Sequence, residues 1–530
     1  MSLFKKFVTV GGGTLGSRLM GFARETLMAA ALGTGPMAEA FYAAFKLPNL
    51  FRRLFAEGAF NAAFVPLFAK EIEAGGIDGA KRFSEEVFGV LFTVLLALTV
   101  VMELAMPLLM RTIIAPGFEG DKYDITVRLA VIMFPYLACM SLTAMLSGML
   151  NSLHHYLAAA IAPIFFNVAM IAALAYGIWI KADAVSIAYY LSYAVLVAGI
   201  LQMLVLYVGV RHAGMSIAFR RPHITPNVKR LLLLALPAAV TGGVTQINLI
   251  IGQAVASMKD GAIASLQYAD RIYQLPLGVV GVAVGVVLLP ELARALKSGH
   301  MVEAESLQNR SIEFVLFLTL PAAAGIFALS DEIIRLVYER GAFHPEATVT
   351  VAAVLTLFGF GLPGFVLNKA LTPGFFARED TKTPMRFTMI SVVLNSVLAI
   401  SLFPFFAERG IAAAESIAGW LSTIMLFVSL TRRGHLNIER ALVSRAIRMV
   451  VASVIMAVAA HYMAAHFSGY LHSGSHALTQ AAVLLPIVFA SFALYLVIVF
   501  AIGGADIGMI RRNIKRRGKA TPAAIPDDPT

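Results

Sequence analysis

The chain has 530 residues, 59% of them hydrophobic and only 14% charged, and its mean hydropathy is +0.80. Apolar runs of about 20 residues, the length a helix needs to cross the hydrocarbon, recur from end to end; they exclude a soluble protein and, being continuous rather than alternating, a β-barrel. The expected fold is all-α and polytopic, and the net charge of +11 must be located along the chain before it is read as affinity for nucleic acid.

The first apolar run extends from about Phe7 to about Leu32 with no small-residue cleavage site, so a retained helix is expected and not a signal peptide. Gly33, Gly35 and Pro36 then form a turn into the second run. With breaks at charged or Gly/Pro clusters, fourteen spans are expected, at about 7–32, 36–69, 84–110, 125–150, 157–180, 184–210, 227–257, 263–293, 312–330, 347–375, 384–406, 410–431, 441–466 and 477–502. An even count puts both termini on one side of the membrane. Of the 42 Lys and Arg residues, 27 fall outside the spans on that side. Eight (Arg111, Lys122, Arg128, Lys181, Lys259, Arg335, Arg340 and Arg409) fall on the other. The asymmetry predicts both termini in the cytoplasm and explains the basic balance as topology and anionic-lipid contact, with no nucleic acid involved.

The two halves of the chain resemble each other. FVPLFAKE at Phe64–Glu71 matches LLPELARA at Leu288–Ala295, an offset of 224. Tyr42-Ala43 echoes Tyr268-Ala269, and Asn167 is matched by Asn395 at an offset of 228. Six spans fit that interval, and an even number per repeat makes the copies parallel, related by a pseudo-twofold along the membrane normal. The expected architecture is an N-terminal lobe at 1–210, a basic linker at 211–226 with an interfacial helix, a C-terminal lobe at 227–432, two added helices at 433–510, and a basic, disordered tail at 511–530.

Seven cations remain inside spans: Arg18, Arg24, Lys46, Arg52, Arg53, Arg271 and Lys369. A cation at the bilayer centre costs about 2.5 to 3.5 kcal/mol on insertion scales, so these need a water-filled cavity, partners or an anionic ligand. A helical projection of span 2 groups Glu39, Lys46, Asn49, Arg53, Glu57 and Asn61 on one face and turns Arg52 away. Pro48 should kink that helix, which leaves open whether Arg52 or Arg53 faces inward. Glu25, Glu39 and Glu57 are the only acids of the first two spans, set against five cations, and Asp270 precedes Arg271 in span 8. The alternative to a ligand site is a set of packing salt bridges, Glu25 with Arg24 and Glu57 with Arg53. Lys369, in span 10, has no acid within several residues along the chain. Guanidinium forks match phosphate oxygens bidentately, so a diphosphate is the ligand these residues suggest.

Cys139, the single cysteine, sits in an apolar run, which predicts no disulfide and no Cys-based metal site. No GxSxG, HExxH or Walker A pattern is present, so neither an enzyme nor an ATP-driven pump is expected. Transport would draw on the membrane potential or an ion gradient, without a cofactor.

The blocks SRLMGFARETLMAAALG, AFYAAFKLPNLFRRLFAEGAFNAAFVPLFAKE, YADRIYQLPLGVVGVAVGVVLLPELA and NKALTPGFFAREDTKTP resemble the MurJ (MviN) family of lipid II flippases, within the exporter superfamily that also holds multidrug and polysaccharide-lipid transporters. The resemblance covers roughly 1–510. It implies an inner-membrane protein that moves undecaprenyl-diphosphate-linked peptidoglycan precursor to the periplasmic leaflet by alternating access, with a lipid-tail groove on the last two helices. It places the family's cavity arginines on Arg18, Arg24, Arg52 and Arg271 and its second-lobe lysine on Lys369, which favours Arg52 over Arg53 by analogy. Glu25 and Glu39 stand where many relatives carry aspartate. The expected partners are lipid II, membrane lipids and cell-wall synthesis proteins, the chain acting as a monomer. The alternatives are export of another lipid-linked glycan or a drug, and a non-transporting cell-wall scaffold.

Overall fold

A computed structural model of the chain describes residues 3–53 and 60–504, apart from the side chains of 3–15, 62, 237–242, 244, 245 and 279–287. Glu57 and the tail at 511–530 lie outside the described residues. Sixteen α-helices follow one another: α1 Leu3–Leu32, α2 Pro36–Phe51, α3 Phe60–Leu109, α4 Gly120–Met133, α5 Tyr136–Ser152, α6 Tyr156–Trp179, α7 Ala184–His212, α8 Pro226–Ala256, α9 Ala262–Lys297, α10 Met301–Tyr338, α11 Pro345–Leu371, α12 Pro373–Phe376, α13 Lys382–Phe406, α14 Glu408–Arg432, α15 Arg440–His466 and α16 Ala477–Ala501. No strand occurs among the described residues.

The fold is all-α and membrane-spanning. Among the described residues ten helices are long and apolar enough to cross a bilayer, which is consistent with the fourteen spans expected, since α1, α8 and α9 include side chains outside the described set. The departures from the expected spans have local causes. Expected spans 2 and 3 share α3, which bends where Gly76 leaves helical geometry at φ 63° and ψ −159°. Expected span 4 is divided between α4 and α5 next to Pro135, whose missing N–H cannot continue the ladder. The interfacial helix expected in the basic linker is absent: no helix lies between His212 and Pro226. Pro222 and Pro226 disfavour one, and Glu85 of α3 accepts the Ala218 N–H at 3.3 Å, a backbone donor a helix would have used internally.

The chain divides into two compact units. The first gathers Met1–Ile272, Ile334–Phe358 and Thr388–Ala418, so it unites the first seven helices and α8 with one end each of α9, α10, α11, α13 and α14. Its polar ties are local and paired. Asn167 on α6 accepts from Arg24 on α1 at 3.1 Å, and Asn395 on α13 donates to Asn248 on α8 at 2.8 Å. Residues 24 and 248 are 224 apart and residues 167 and 395 are 228 apart, so the repeat offsets recur in three-dimensional contacts.

The second unit gathers Tyr273–Ile333, Gly359–Phe387 and Gly419–Thr530. In it α15 and α16 pack through Met449, Met456, Tyr495 and Val499, and the Tyr495 hydroxyl donates to the Phe317 carbonyl of α10 at 2.9 Å. Arg445 meets Glu313 at 2.9 Å, and the Asn368 amide donates to Ser422 at 2.8 Å beside Lys369, which is itself exposed on α11. Asp380 caps α13: it accepts the Thr383 hydroxyl at 2.6 Å and backbone N–H at 3.0 Å, and pairs with Arg433 at 2.7 Å.

Thr383, and after it Arg433, hold the Asp380 carboxyl down to about 2. The cap should therefore contribute fully above the ordinary carboxylate value of about 4 and fade as pH falls toward the lowered one. Asp380→Ala should cost about 1 kcal/mol, measured as a lower thermal midpoint of the detergent-solubilised protein at neutral pH, with the gap to wild type closing in acid.

Candidate functional site

The candidate residues fall into three groups of contacts within the first unit. At the centre of one is Glu25 on α1, only 3% exposed. Its Oε1 accepts from Arg24 Nη2 at 2.6 Å and from Arg271 Nη2 of α9 at 2.8 Å, while Oε2 accepts the Tyr42 hydroxyl of α2 at 2.9 Å. The Arg24 guanidinium also lies 5.2 Å from the centre of the Phe166 ring, and Asn167 anchors the pair by donating to the Ser17 carbonyl at 3.0 Å. Two guanidinium groups thus share one carboxylate, and Asp270 is a further charged neighbour of Arg271. The Nε of Arg271 is buried and has no hydrogen-bond partner among the described residues, so its fork is not saturated.

A second group is built on α2. Arg52 donates to the Asn49 side chain through Nε at 3.1 Å and Nη2 at 3.0 Å, so the residue that the projection set off the polar face still reaches its Asn49 edge. The two lie three positions apart, an ordinary neighbour spacing on a helix, and Arg52 keeps helical dihedrals (φ −56°, ψ −47°). Arg53 is exposed. Lys46 has Arg53, Asp270 and Glu415 as charged neighbours, so Asp270 and an acid of α14 stand near this cation. Arg18, on α1, is exposed. Lys369 belongs to the second unit.

The third group closes one end of the first unit. Glu39, fully buried at the start of α2, accepts Lys122 Nζ of α4 at 2.5 Å and the Ile263 N–H of α9 at 3.0 Å, and Lys122 also reaches Asp260 at 2.8 Å. Lys259 pairs with the buried Glu408 at 2.9 Å. Backbones meet as well: Ala342 N–H donates to the Ala30 carbonyl at 2.8 Å. Gly341 sits there at φ 60°, and a Cβ on it would lie 2.2 Å from that carbonyl oxygen, so only glycine allows the approach.

Sequence reasoning missed several of these partners. Glu415 carried a signal, an acid inside an expected span, that the cation search passed over. Lys122 was placed among the sparse outer cations and not recognised as the partner of Glu39. Tyr42 and Asn167 carried only weak signals, because a Tyr or Asn in a spanning helix is more often a local packing element than a ligand to charge.

The family model for the lipid II flippase MurJ matches residues 28–482. The chain belongs to the MurJ family of lipid II flippases. It is 68% identical over 522 residues to a probable lipid II flippase MurJ of Rhizobium tropici, covering 98% of each chain. Its fold is similar to that of a lipid II flippase MurJ solved in an inward closed conformation, with a TM-score of 0.75 at 22% identity, covering 96% of this chain and 100% of that one. It is also similar to an inward-facing MATE-family multidrug transporter of the MOP superfamily, with a TM-score of 0.68 at 16% identity over 79% of this chain and 94% of that one. The family is thus the one that the arginine-bearing blocks indicated.

Removing Glu25 leaves Arg24 and Arg271 facing each other without a counter-charge. Glu25→Ala should therefore destabilise the protein by about 3 kcal/mol or more, and Glu25→Gln, which keeps an acceptor for Tyr42, by less. Thermal midpoints in one detergent test the order; equal midpoints for wild type and the alanine variant would contradict a shared carboxylate.

Proposed function

We propose that this MurJ-family chain is a lipid II flippase, carrying the undecaprenyl-diphosphate-linked precursor from the cytoplasmic to the periplasmic leaflet of the inner membrane by alternating access. The observation that carries the reading is the convergence of Arg24 and Arg271 on Glu25, with the buried Arg271 Nε left without a hydrogen-bond partner among the described residues. A diphosphate offers the same kind of acceptor as the Glu25 carboxylate, with more oxygens and more charge. It can therefore draw the guanidinium forks from an acid that already holds them in position. Arg18 and Arg52, with Arg53, Lys46 and Asn49, would bind the sugar-peptide head as well, Lys369 is a further candidate contact, and the polyprenyl tail would stay in lipid along α15 and α16.

Alternating access requires one end to open, and the Glu39–Lys122–Asp260 and Lys259–Glu408 ties are the contacts that opening would have to break. In this reading they form the periplasmic gate, both termini are cytoplasmic, and the lobes at 1–210 and 227–432 move against each other. The chain works as a monomer without a cofactor. The membrane potential or an ion gradient drives the cycle, with Asp270 and Glu415 as charge partners for Lys46. A drug exporter taking cations would favour an excess of intramembrane acids, and the seven intramembrane cations favour an anion instead.

Arg24→Ala and Arg271→Ala should each fail to support growth of cells depleted of their own flippase, although the proteins reach the membrane. In proteoliposomes with labelled lipid II, translocation by either variant should fall at least about tenfold, the loss expected from one charge-assisted hydrogen-bond pair. Normal growth and transport by both would refute the anion site, and growth loss with intact transport would favour a scaffold. Glu39→Ala should shift the conformational balance toward opening at that end. Faster labelling of a cysteine introduced at Ala264 than in the otherwise wild-type protein would register it.

A further inference from the structure

The segment joining α7 to α8 is held against α3 by a set of contacts outside the three groups described above. Glu85, with its side chain 5% exposed, takes the Ala218 N–H at 3.3 Å and Arg220 Nε at 2.7 Å. Glu86 accepts the Thr225 hydroxyl at 2.9 Å, and the Phe219 ring sits edge-on to Phe88 and Phe92 at 6.5 and 5.9 Å. The strap lies so close to α3 that a Cβ at Gly89 would stand 2.2 Å from the Arg220 carbonyl oxygen. This segment is a fixed surface and not a loose tether.

Its position relative to the bilayer follows from α3. From Phe92 to Leu108 that helix exposes Phe92, Val94, Leu96, Val100, Val101, Leu104 and Leu108, a lipid-facing stretch about 24 Å long at 1.5 Å per residue. Immediately before it come Lys81, Arg82, Glu85 and Glu86, so the hydrocarbon boundary falls where Phe219 touches Phe88 and Phe92. Exposed Phe219 and Ile224 flank Arg220, Arg221 and His223 on the strap. A cavity of about 370 Å³ opens there, lined by Glu86, Arg220, Arg221, His223 and Thr225. Among the described contacts Arg220 uses only its Nε, which leaves its two terminal amino groups for a ligand.

We propose that this strap is a headgroup site for an anionic phospholipid, whose phosphate is held by Arg220 and Arg221 while its acyl chains lie along the apolar face of α3. Charge complementarity selects the anionic headgroup, and the continuity of Phe219 with the lipid-facing side chains of α3 selects a lipid over a soluble anion. Glu85 neutralises Arg220 only in part and serves to aim it; Glu86 is occupied by Thr225. The His223 ring, with Nδ1 3.0 Å from the Arg221 carbonyl, lines the same cavity.

The test is native mass spectrometry of the full-length protein released from mixed micelles of phosphatidylglycerol and phosphatidylcholine with identical acyl chains. Wild type should retain phosphatidylglycerol preferentially. Arg221→Gln with His223→Gln, which leaves every Glu85 and Glu86 contact in place, should lower that retention about fivefold, the worth of one cation near a headgroup. Arg128→Gln, removing an exposed cation from α4, should leave it unchanged. Equal retention by wild type and the strap variant would overturn the proposal, as would an equal fall in the Arg128 control. Displacement of the lipid by millimolar inorganic phosphate would overturn it too, by assigning the cavity to a soluble anion. A thermal midpoint within about a degree of wild type for the strap variant separates lost binding from lost fold. Retention is read without transport, so the result is independent of the flipping assay.

Discussion

The structure of the first unit depends on one carboxylate. Glu25 is nearly inaccessible and is satisfied by two guanidinium groups and a phenol, drawn from α1, α2 and α9. A buried ion pair gains its attraction only by overcoming a desolvation cost of several kcal/mol per ion, so such a cluster adds little net stability. What it secures is placement: the chain positions two arginines at a depth where neither would be tolerated alone. Glu25 fixes both arginines, Asp270 is a further charged neighbour of Arg271, and the buried Nε of Arg271 is left without a hydrogen-bond partner among the described residues.

From that cluster an unbroken series of contacts runs to the closed end of the unit. Tyr42, bonded to Glu25, stacks edge-on against Tyr268 at 5.9 Å; Tyr268 donates to the Gly33 carbonyl at 2.9 Å and receives the Tyr338 hydroxyl on its own carbonyl at 3.3 Å. Gly33 belongs to the turn between α1 and α2, next to the backbone contact of Ala30 with Ala342. Any ligand that pulls Arg24 or Arg271 away from Glu25 therefore disturbs groups packed directly against the end that must open. Contiguity of this kind is the physical requirement for coupling, since packed aromatic rings have few intermediate arrangements.

How much of this could be read from sequence varies with the length scale of the signal. Helical class, the membrane-spanning character and the placement of Arg24 and Arg271 inside spans were legible because each is a property of a long apolar run and a charge inside it. The partnering was not. Glu25 sits next to Arg24 in the chain and suggested a simple pair, yet the same oxygen also serves Arg271, 246 positions on. Helical projection assigned Glu39 to the same face as Lys46, whereas its contacts are Lys122 and the N-terminal end of α9. Periodicity constrains which side of a helix a residue occupies; it carries no information about which distant helix arrives there. Arg52 shows the further limit, that a residue projected off a polar face can still bond a member of it three positions away.

The internal repeat explains why the charged site is lopsided. Tyr42 and Tyr268 occupy matching places in the two copies and touch each other, which puts them near the axis that relates the copies. Around that axis the scaffold contact is kept on both sides, since Asn167 meets residue 24 and Asn395 meets residue 248, but the residue met is arginine in the first copy and asparagine in the second. The tyrosines diverge in the same way: one hydroxyl serves the Glu25 carboxylate, the other a backbone carbonyl at the closed end. Duplication supplies two bodies with a common packing scheme. The cluster itself draws on both copies, since Glu25 and Arg24 come from the first and Arg271 from the second.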